Sequence, residues 1–570
     1  MRPSVWEPLE VNEDAAAELG RCLGVTPITA RILSSRGFDD ENSASRFLNP
    51  SVDHLHNPLK LTDMARTIDR LLAAAENSER VAVHGDYDAD GITSTVMLTR
   101  ALQLLGVDVI YFIPDRFKDG YGLEPSGIDR LHNLRAKVIV TVDCGIRGGA
   151  AAQRCRELGI DLIVTDHHMP SGTLPSAFSV INPKRSDCVY PEKNLSGAGV
   201  ALKLVQALCE KTGNSRWLSG FIKIAAIGTL ADVVPLVGEN RVIAKVGLKL
   251  LSQGPHTVGL RALLESSGLS GKKLDGFHIS FILAPRINAA GRMGAQDLAT
   301  RLLLVNDESM AGEARELAAK LEDENLKRRN EENATITLAK RVIEKDPSVG
   351  AHNILVVYGE DWHRGVIGIV ASRLVDRYHR PVVVLSVDGE LAHGSCRSVP
   401  GFDVLQALEK CDDLLVRFGG HRQAAGLTIN TSCLKEFRKR LCDYANMTLE
   451  PDDLKFRLKI DGTLNLDAIS SVVAADLEQL APFGMGNPRP VFRTGPVKVI
   501  GKIRRLKRGH LAMTVSQGGR RFRAVAWRGI EHEAMFEKYR ESLQLAFSVV
   551  QNYYHRQNSL EIEIVDAKGN

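Results

Sequence analysis

His84, Asp86, Asp88 and Asp90 alternate along His84-Gly85-Asp86-Tyr87-Asp88-Ala89-Asp90, directly after the apolar run Val81-Ala82-Val83. One imidazole and three carboxylates this close repel one another unless a cation lies among them. Two more apolar runs end in the same way. Val138 to Val142 leads into Asp143, and Leu162 to Thr165 leads into Asp166, His167 and His168. A further run, Ile224 to Leu230, delivers Asp232. Each has a plainer reading alone, because an Asp after a strand often caps the next helix and a His pair often lies on the surface. Together they point to convergence: parallel strands share one edge, and ligands bind in the crevice outside their carboxyl ends. Imidazole with carboxylates and no thiolate favours Mn²⁺ or Mg²⁺ over structural zinc. Two such ions bridged by a carboxylate would activate water and stabilise a leaving oxygen, so the expected chemistry is two-metal phosphoester hydrolysis.

The elements that must hold these groups read as βαβ units. Strands are expected at Val81–Val83, Val107–Ile113, Lys137–Val142 and Asp161–Thr165, with helices at Ile92–Leu105, Ser126–Asn133 and Gly149–Leu158 between them. That rhythm predicts a doubly wound, mostly parallel sheet. Helical patterns follow at Gly197–Lys211 and Phe221–Leu230. Before this unit, residues 1–50 read as a helical N-terminal extension without chemistry of its own. From Asn306 to Lys345 there is no proline and only Gly312 among the glycines. This predicts a long helix, either a strut between domains or a solvated surface helix.

After Pro347 a second, smaller α/β pattern begins. Strands are expected at Asn353–Tyr358 and Pro381–Ser386, helices at Gly365–Tyr378 and Phe402–Glu409, then a glycine-rich stretch from Phe418 to Gly426. From Pro451 on, short alternating strands (Lys455–Ile460, Val497–Ile503, His510–Val515, Phe522–Trp527, Leu543–Val549) suggest a small β-barrel, with an OB-fold the natural candidate. Five segments result: 1–50, 51–305, 306–346, 347–447 and 448–570. A chain of 570 residues is in any case too long for one core, and a length prior gives about three to four domains.

Composition narrows the class. With 44% hydrophobic and 25% charged residues the chain reads as an ordinary soluble protein, and its net charge of +4 does not itself argue for nucleic acid. No apolar stretch approaches a membrane span, and the N-terminus shows no signal-peptide pattern. Nine scattered cysteines without a Cys-x-x-Cys pair fit a reducing cytoplasm and speak against a zinc ribbon.

Asp166-His167-His168, preceded by Asp88-x-Asp90 and Asp143 and followed by Asp232, resembles the DHH phosphoesterase superfamily. The match is closer still to its RecJ family of single-strand-specific 5′→3′ DNA exonucleases. It extends through Gly228-Thr229-Leu230-Ala231-Asp232-Val233-Val234-Pro235-Leu236 and Arg286-Ile287-Asn288-Ala289-Ala290-Gly291-Arg292. Trp362 to Gly368, Ser395-Cys396-Arg397-Ser398 and Phe418-Gly419-Gly420-His421 resemble the substrate-holding DHHA1-type domain, and Pro482 to Pro488 the entrance to the RecJ OB domain. The resemblance spans residues 50 to 570, with no departure at a ligand position. It implies one metal held by His84, Asp88 and Asp143, and another held by Asp90, Asp143, His167 and Asp232, with Asp143 bridging. It further implies that His168 touches the scissile phosphate and that Asp86 supports the ligands. An additional C-terminal domain found in some relatives is expected to be absent.

An exonuclease of this kind recognises a 5′ end. Ser395 and Arg397, expected in a turn after Gly394, and Arg116 suit a terminal phosphate; a surface ion pair is the plainer reading of any single arginine. Asn288 and Arg292 would track the backbone. Gly420 and His421 either offer backbone N–H groups to a phosphate or form an ordinary turn. The basic run Lys502 to His510, with Arg520, Arg521, Arg523 and Arg528 and the aromatics Phe522 and Trp527, suits a single-strand groove; a basic hairpin with core aromatics is the alternative. The expected function is therefore Mn²⁺- or Mg²⁺-dependent 5′→3′ hydrolysis of single-stranded DNA in recombination and repair. Two alternatives are a phosphodiesterase of short oligonucleotides or cyclic dinucleotides and a non-catalytic strand-binding scaffold. By resemblance, single-strand-binding protein and a RecQ-type helicase are the expected partners of a monomer.

Overall fold

Val81, Ala82 and Val83 are apolar on both faces, as a strand buried on both sides requires, and all three are fully buried. In the computed structural model, which describes residues 4–116, 122–170, 172–552 and 559–569, they begin a five-stranded parallel sheet. Its strands are β1 (Val81–His84), β2 (Val109–Phe112), β3 (Val138–Val142), β4 (Asp161–Thr165) and β5 (Ser179–Ile181), in the order β2-β1-β3-β4-β5. The order reverses between β1 and β3, which opens a crevice at their carboxyl ends. The strand of Ser179–Ile181 was not among those expected: three residues are too few to show a period.

Behind the sheet lies a layer of three helices that are buried nearly all round: Ala89–Leu104, Gly197–Lys211 and Leu218–Ala231. A helix without a polar face must be buried on all sides. These three pack on one another, which fixes the ends that carry Asp88, Asp90 and Asp232.

The chain divides into two compact units. One takes in residues 6–288, 299–318 and the chain from 458 on; the other contains 289–298 and 319–457. In the second unit the sheet is mixed, in the order β9-β10-β8-β7-β6. Its strands are β6 (Leu355–Glu360), β7 (Val382–Asp388), β8 (Leu391–Arg397), β9 (Leu415–His421) and β10 (Ala424–Asn430), with only β6 and β7 parallel. The helix expected from Asn306 to Lys345 runs as Ala311–Lys345. Its outer face is exposed and its inner face is packed: Ala339 and Ile343 join the core of Val357, Val370 and Leu374. Its polar residues Asn325, Arg328, Glu332 and Thr335 are buried too. Arg328 meets Glu332 at 2.8 Å, which makes the burial of both tolerable.

The C-terminal strands close into a barrel. They are β11 (Gly462–Thr463), β12 (Phe492–Arg493), β13 (Lys498–Leu506), β14 (His510–Gln517), β15 (Arg520–Ala526), β16 (Leu543–Asn552) and β17 (Ser559–Gly569). The sheet order is β11-β12-β16-β17-β15-β14-β13, and a bridge from Val497 to Leu543 joins its far edge back to β16. Strand β17 was not foreseen, although Leu560, Ile562 and Ile564 alternate as a half-buried strand should. The N-terminal helices Glu13–Leu23, Pro27–Ser35 and Glu41–Leu48 complete the barrel's core: Leu19, Ile32, Leu33 and Phe47 share one apolar cluster with Leu466, Leu480, Phe492 and Phe547. The buried Arg241 guanidinium stacks 3.6 Å over the Phe47 ring and donates to the carbonyls of Phe47, Gln479 and Ala481.

Candidate metal centre

Asp88 shows that the plain and the functional reading of one residue can both hold. It caps the helix Ala89–Leu104, its Oδ1 accepting the N–H groups of Asp90 (3.0 Å) and Gly91 (3.1 Å). It also shares with Asp86 and Asp143 a group of donor oxygens that lie within 4.8 Å of one another. Asp90, His167 and Asp232 form a second such group, and Asp143 joins His167 and His168 in a third. Of the expected ligands, His84 enters none of these groups among the described residues. Its ring packs on Phe112 at 5.3 Å, with Nδ1 3.7 Å from the Cys144 thiol.

His167 decides what the centre needs. Its Nδ1 lies 3.1 Å from the Leu195 carbonyl oxygen, which can only accept, so Nδ1 carries the proton. In the neutral ring Nε2 then presents a lone pair. It faces Asp143 Oδ1 at 3.2 Å, Asp232 Oδ2 at 3.8 Å and Asp90 Oδ2 at 3.9 Å. Asp143 Oδ1 and Asp232 Oδ2 are buried without a hydrogen-bond partner. Such atoms are costly unless something absent from the polypeptide compensates them. Acceptors facing acceptors fit a divalent cation, and imidazole with carboxylates is a suitable donor set for Mn²⁺ or Mg²⁺.

The charge balance agrees. Burial, with Asp143 and Asp232 adding to it, holds the Asp90 carboxyl well above the usual carboxylate range. Burial and then Asp88 and Asp86 do the same to Asp143. Burial and then Asp88 push Asp86 up to about 7. Burial and mutual repulsion thus make several charged carboxylates here costly unless a cation lies among them.

Local backbone supports the centre in ways the sequence reading missed. Asp143 sits at φ 61°, a left-handed conformation that costs a non-glycine residue about 1–2 kcal/mol. Both oxygens of Asp90 accept backbone N–H groups at the start of the helix Gly197–Lys211, from Gly197 (2.7 Å) and Ala198 (2.8 Å). A helix N-terminus suits a carboxylate. Only glycines allow the approach: a Cβ on Gly197 would lie 2.5 Å from Asp143 Oδ1, and one on Gly228 2.8 Å from Asp90 Oδ1. The small run Gly197-Ala198-Gly199 after the capping Ser196 is the sequence signal that could have found this contact. Asp166 was also passed over as a site residue. It is buried and accepts the His168 ring Nδ1 at 2.7 Å and the N–H groups of His167, His168 and Ile146. Burial raises its carboxyl, but the His168 hydrogen bond and charge outweigh that and hold it below the usual range.

The expected substrate residues fall in several places. Arg116 lies over the Tyr87 ring at 5.3 Å. The side-chain oxygen of Asn288 accepts the Ala89 N–H at 2.6 Å and so braces the helix that carries Asp90. In the second unit, Arg292 donates to the Gly365 carbonyl at 3.2 Å. Ser395 and Arg397 lie on β8 rather than in a turn, paired with Gly426 and Ala424 of β10. Arg397 donates to Ser395 Oγ at 3.3 Å. Both side chains face Gly368 at the start of the helix Ile367–Tyr378, where a Cβ would lie 3.1 Å from Ser395 Oγ and 3.4 Å from Arg397 Nη2. Gly420 and His421 are likewise in a strand, β9, not a turn. Gly420 adopts φ 151°, and a Cβ there would lie 2.5 Å from the Ala425 Cα, so close strand pairing accounts for this glycine.

On the barrel, Lys502, Arg504, Lys507, Arg508, Arg520, Arg521 and Arg528 are exposed. Arg505 and Arg523 are taken up by Glu533 and Glu561. Phe522 packs against the core, whereas Trp527 is exposed, so the two aromatics divide between the two expected roles.

A parallel sheet with its carboxylate and imidazole donors gathered at the switch point defines a phosphoesterase-type metalloenzyme of the DHH class. Family models agree: the N-terminal domain of the DHH family matches residues 80–229, the DHHA1 domain 351–447 and the RecJ OB domain 460–566. The chain is 35% identical over 573 residues to the single-stranded-DNA-specific exonuclease RecJ of Salmonella typhimurium, covering 97% of each. It is 37% identical to that of Escherichia coli (85% of each). With the Bacillus subtilis protein it shares 38% identity over 85% of this chain, but spans 61% of that relative's length. The crystal structure of RecJ in complex with Mn²⁺ from Thermus thermophilus superposes with a TM-score of 0.84 at 32% identity, over all of this chain and 80% of that one. Its Mg²⁺ counterpart gives 0.78 at 30%, over all of this chain and 79% of that one. The chain belongs to the RecJ family of single-stranded-DNA-specific exonucleases. Among the described residues no helix is long and apolar enough to cross a membrane.

Proposed function

We propose that this chain hydrolyses single-stranded DNA from the 5′ end with two divalent cations, Mn²⁺ or Mg²⁺, in recombination and repair. The observation that carries the reading is the pair of buried, partnerless oxygens of Asp143 and Asp232 that face His167 Nε2, in a chain whose relatives are exonucleases. His84, Asp88 and Asp143, with Asp86 beside them, would hold one ion; Asp90, Asp143, His167 and Asp232 would hold the other. The sharing of Asp143 between donor groups supports a bridging role. When bound, the ions supply a nucleophile from water at neutral pH and neutralise the charge that develops on the phosphate.

The remaining steps belong to side chains. His168 has its Nδ1 engaged by Asp166, which orients the ring and leaves Nε2 for an oxygen of the scissile phosphate. Ser395, Arg397 and the N-terminus of the helix Ile367–Tyr378 form a cradle suited to a terminal phosphate, since N–H groups, hydroxyl and guanidinium all donate. Arg116 keeps its assignment to the 5′-terminal phosphate and Gly420 and His421 theirs to a phosphate, while Asn288, Arg292 and the exposed cations of the barrel are assigned to the strand behind that end. The segments 1–50, 51–305, 306–346, 347–447 and 448–570 are kept as the working division. Single-strand-binding protein and a RecQ-type helicase remain the proposed partners of a cytoplasmic monomer.

The test is a 3′-labelled oligonucleotide with a 5′-phosphate, single-stranded and as a blunt duplex, with Mn²⁺ or with EDTA. The reading expects metal-dependent loss of nucleotides from the 5′ end of the single strand alone. Shortening from the 3′ end, or an intact strand alongside cleavage of a cyclic dinucleotide, would contradict it.

A further inference from the structure

Phe277 and Phe281 stack on each other in full view of solvent. Their rings lie 5.2 Å apart at 26°, and they are 60% and 67% exposed. One turn apart on a helix, the two rings form a continuous apolar shelf. Exposed phenylalanines of this size are uncommon unless something covers them.

Their backbone is tied to the metal centre at two points. Phe277 immediately precedes a π-helical turn, His278–Leu283, that continues into the helix Ala284–Arg292. Such turns are frequent at functional sites. From within that turn Ser280 donates its hydroxyl to the Leu230 carbonyl at 2.6 Å, two residues before Asp232. Eight residues further on, Asn288 accepts the Ala89 N–H beside Asp88 and Asp90. Val233, next to Asp232, is also exposed. Lys272 and Lys273, a few residues before Phe277 in the chain, are exposed. The segment thus carries apolar rings for bases, two ammonium groups for phosphates and hydrogen bonds to the backbone near Asp232 and Asp88.

We propose that Phe277 and Phe281 are a base-stacking platform for the single strand, holding nucleotides that lead to or from the metal centre. The inference rests on the exonuclease reading and adds to it the surface that grips bases without reading sequence. A strand of DNA fits this surface better than a protein would. Two stacked rings with exposed lysines close by in the chain suit a nucleic-acid strand, and every base has a face to stack whatever its identity. It also gives a physical reason for preferring single strands, because bases in a duplex already stack on each other.

The test compares wild type with Phe277→Ala/Phe281→Ala and Phe277→Trp/Phe281→Trp. Both residues are exposed, so neither variant removes core packing. Binding of a fluorescent single-stranded oligonucleotide is measured in Ca²⁺, and hydrolysis of the same strand and of a small chromogenic thymidine 5′-phosphodiester in Mn²⁺. We expect the double alanine variant to bind about tenfold or more weakly, the loss of one or two stacked bases, with KM for the strand raised in step. The tryptophan variant should bind as well as wild type or better, and all three should hydrolyse the small ester alike. An oligonucleotide with abasic sites should weaken wild type and leave the alanine variant unaffected. Equal binding and equal KM in wild type and alanine variant, with wild type still degrading the strand, would overturn the platform while leaving the exonuclease reading in place. A wild type that fails to shorten the strand at all would instead remove the reading on which it rests.

Discussion

Nε2 of His167 lies 3.2 Å from Oδ1 of Asp143, and that oxygen is buried with no hydrogen-bond donor. Because Nδ1 is engaged by the Leu195 carbonyl, the pair consists of two acceptors. The surrounding fold prevents them from separating: Asp143 is held in a left-handed conformation after β3, and His167 follows β4, the next strand in the sheet. Two buried carboxylate oxygens without a donor, held against an imidazole, suit a divalent cation among them.

Gly197→Ala places a Cβ 2.5 Å from Asp143 Oδ1, at a position where alanine suits the helix. Mn²⁺ affinity should fall about tenfold or more, as when groups that orient a ligand are lost, with little change in the circular dichroism spectrum. Calorimetric titration checks this, and an unchanged affinity would show that Asp143 can move without consequence.

Metal binding should also be linked to pH. Asp86, held up to about 7, and Asp90 and Asp143, raised well above their usual range, bind protons more tightly folded than unfolded. Their stabilising contribution to the metal-free protein is complete at acid pH and is lost as pH rises through their folded pKa values. A cation displaces those protons. The increase in melting temperature on adding Mn²⁺ should therefore be larger at about pH 8 than at about pH 6. Differential scanning fluorimetry settles the sign; an equal increase at both would mean that the carboxylates bind the ion without releasing protons.

At the proposed 5′ end, Arg397→Lys keeps the charge but loses the planar fork. The ratio of kcat/KM for 5′-phosphorylated over 5′-hydroxyl strands should drop by about tenfold, or about 1.4 kcal/mol, while the rate on the hydroxyl strand stays near wild type. Equal losses on both strands would place Arg397 elsewhere on the substrate.

Phe47 links the N-terminal helices to the barrel. It is 4% exposed, packs in the barrel's core cluster and lies under the Arg241 guanidinium. Phe47→Ala should cost about 3–5 kcal/mol. Hydrogen exchange should then speed up in β13 to β17 as well as in the three helices. Faster exchange in the helices alone would show that the barrel does not depend on them.

Much of this was legible beforehand because the centre is written in strand ends. An apolar run followed at once by Asp or His can be recognised without knowing any contact, and parallel packing then brings β1, β3 and β4 to one edge. The Ser395-to-Arg397 segment was misplaced as a turn because Gly394 reads as a breaker, whereas its lack of a side chain serves to admit Leu427 from the neighbouring strand: a Cβ there would lie 2.8 Å from Leu427 Cγ. Gly420 misled for the same reason. The N–H groups that hold Asp90 were hidden because they come from backbone more than a hundred residues away. Residue types reveal side-chain chemistry; they do not reveal which helix start will face a carboxylate. The barrel's dependence on residues 13–48 was invisible too, since amphipathic periodicity identifies an apolar face but not its partner.

The most direct test of the central claim is a Mn²⁺ titration of metal-free protein that counts bound ions by calorimetry while following hydrolysis of a 5′-phosphorylated single strand. Two ions per chain are expected, with activity appearing as the second site fills. Asp143→Asn should weaken binding at both sites and lower the rate by at least about a hundredfold, the upper end of what losing an outer-shell group already costs. Full binding and near-normal hydrolysis in Asp143→Asn, or wild-type hydrolysis undiminished in EDTA, would contradict the claim.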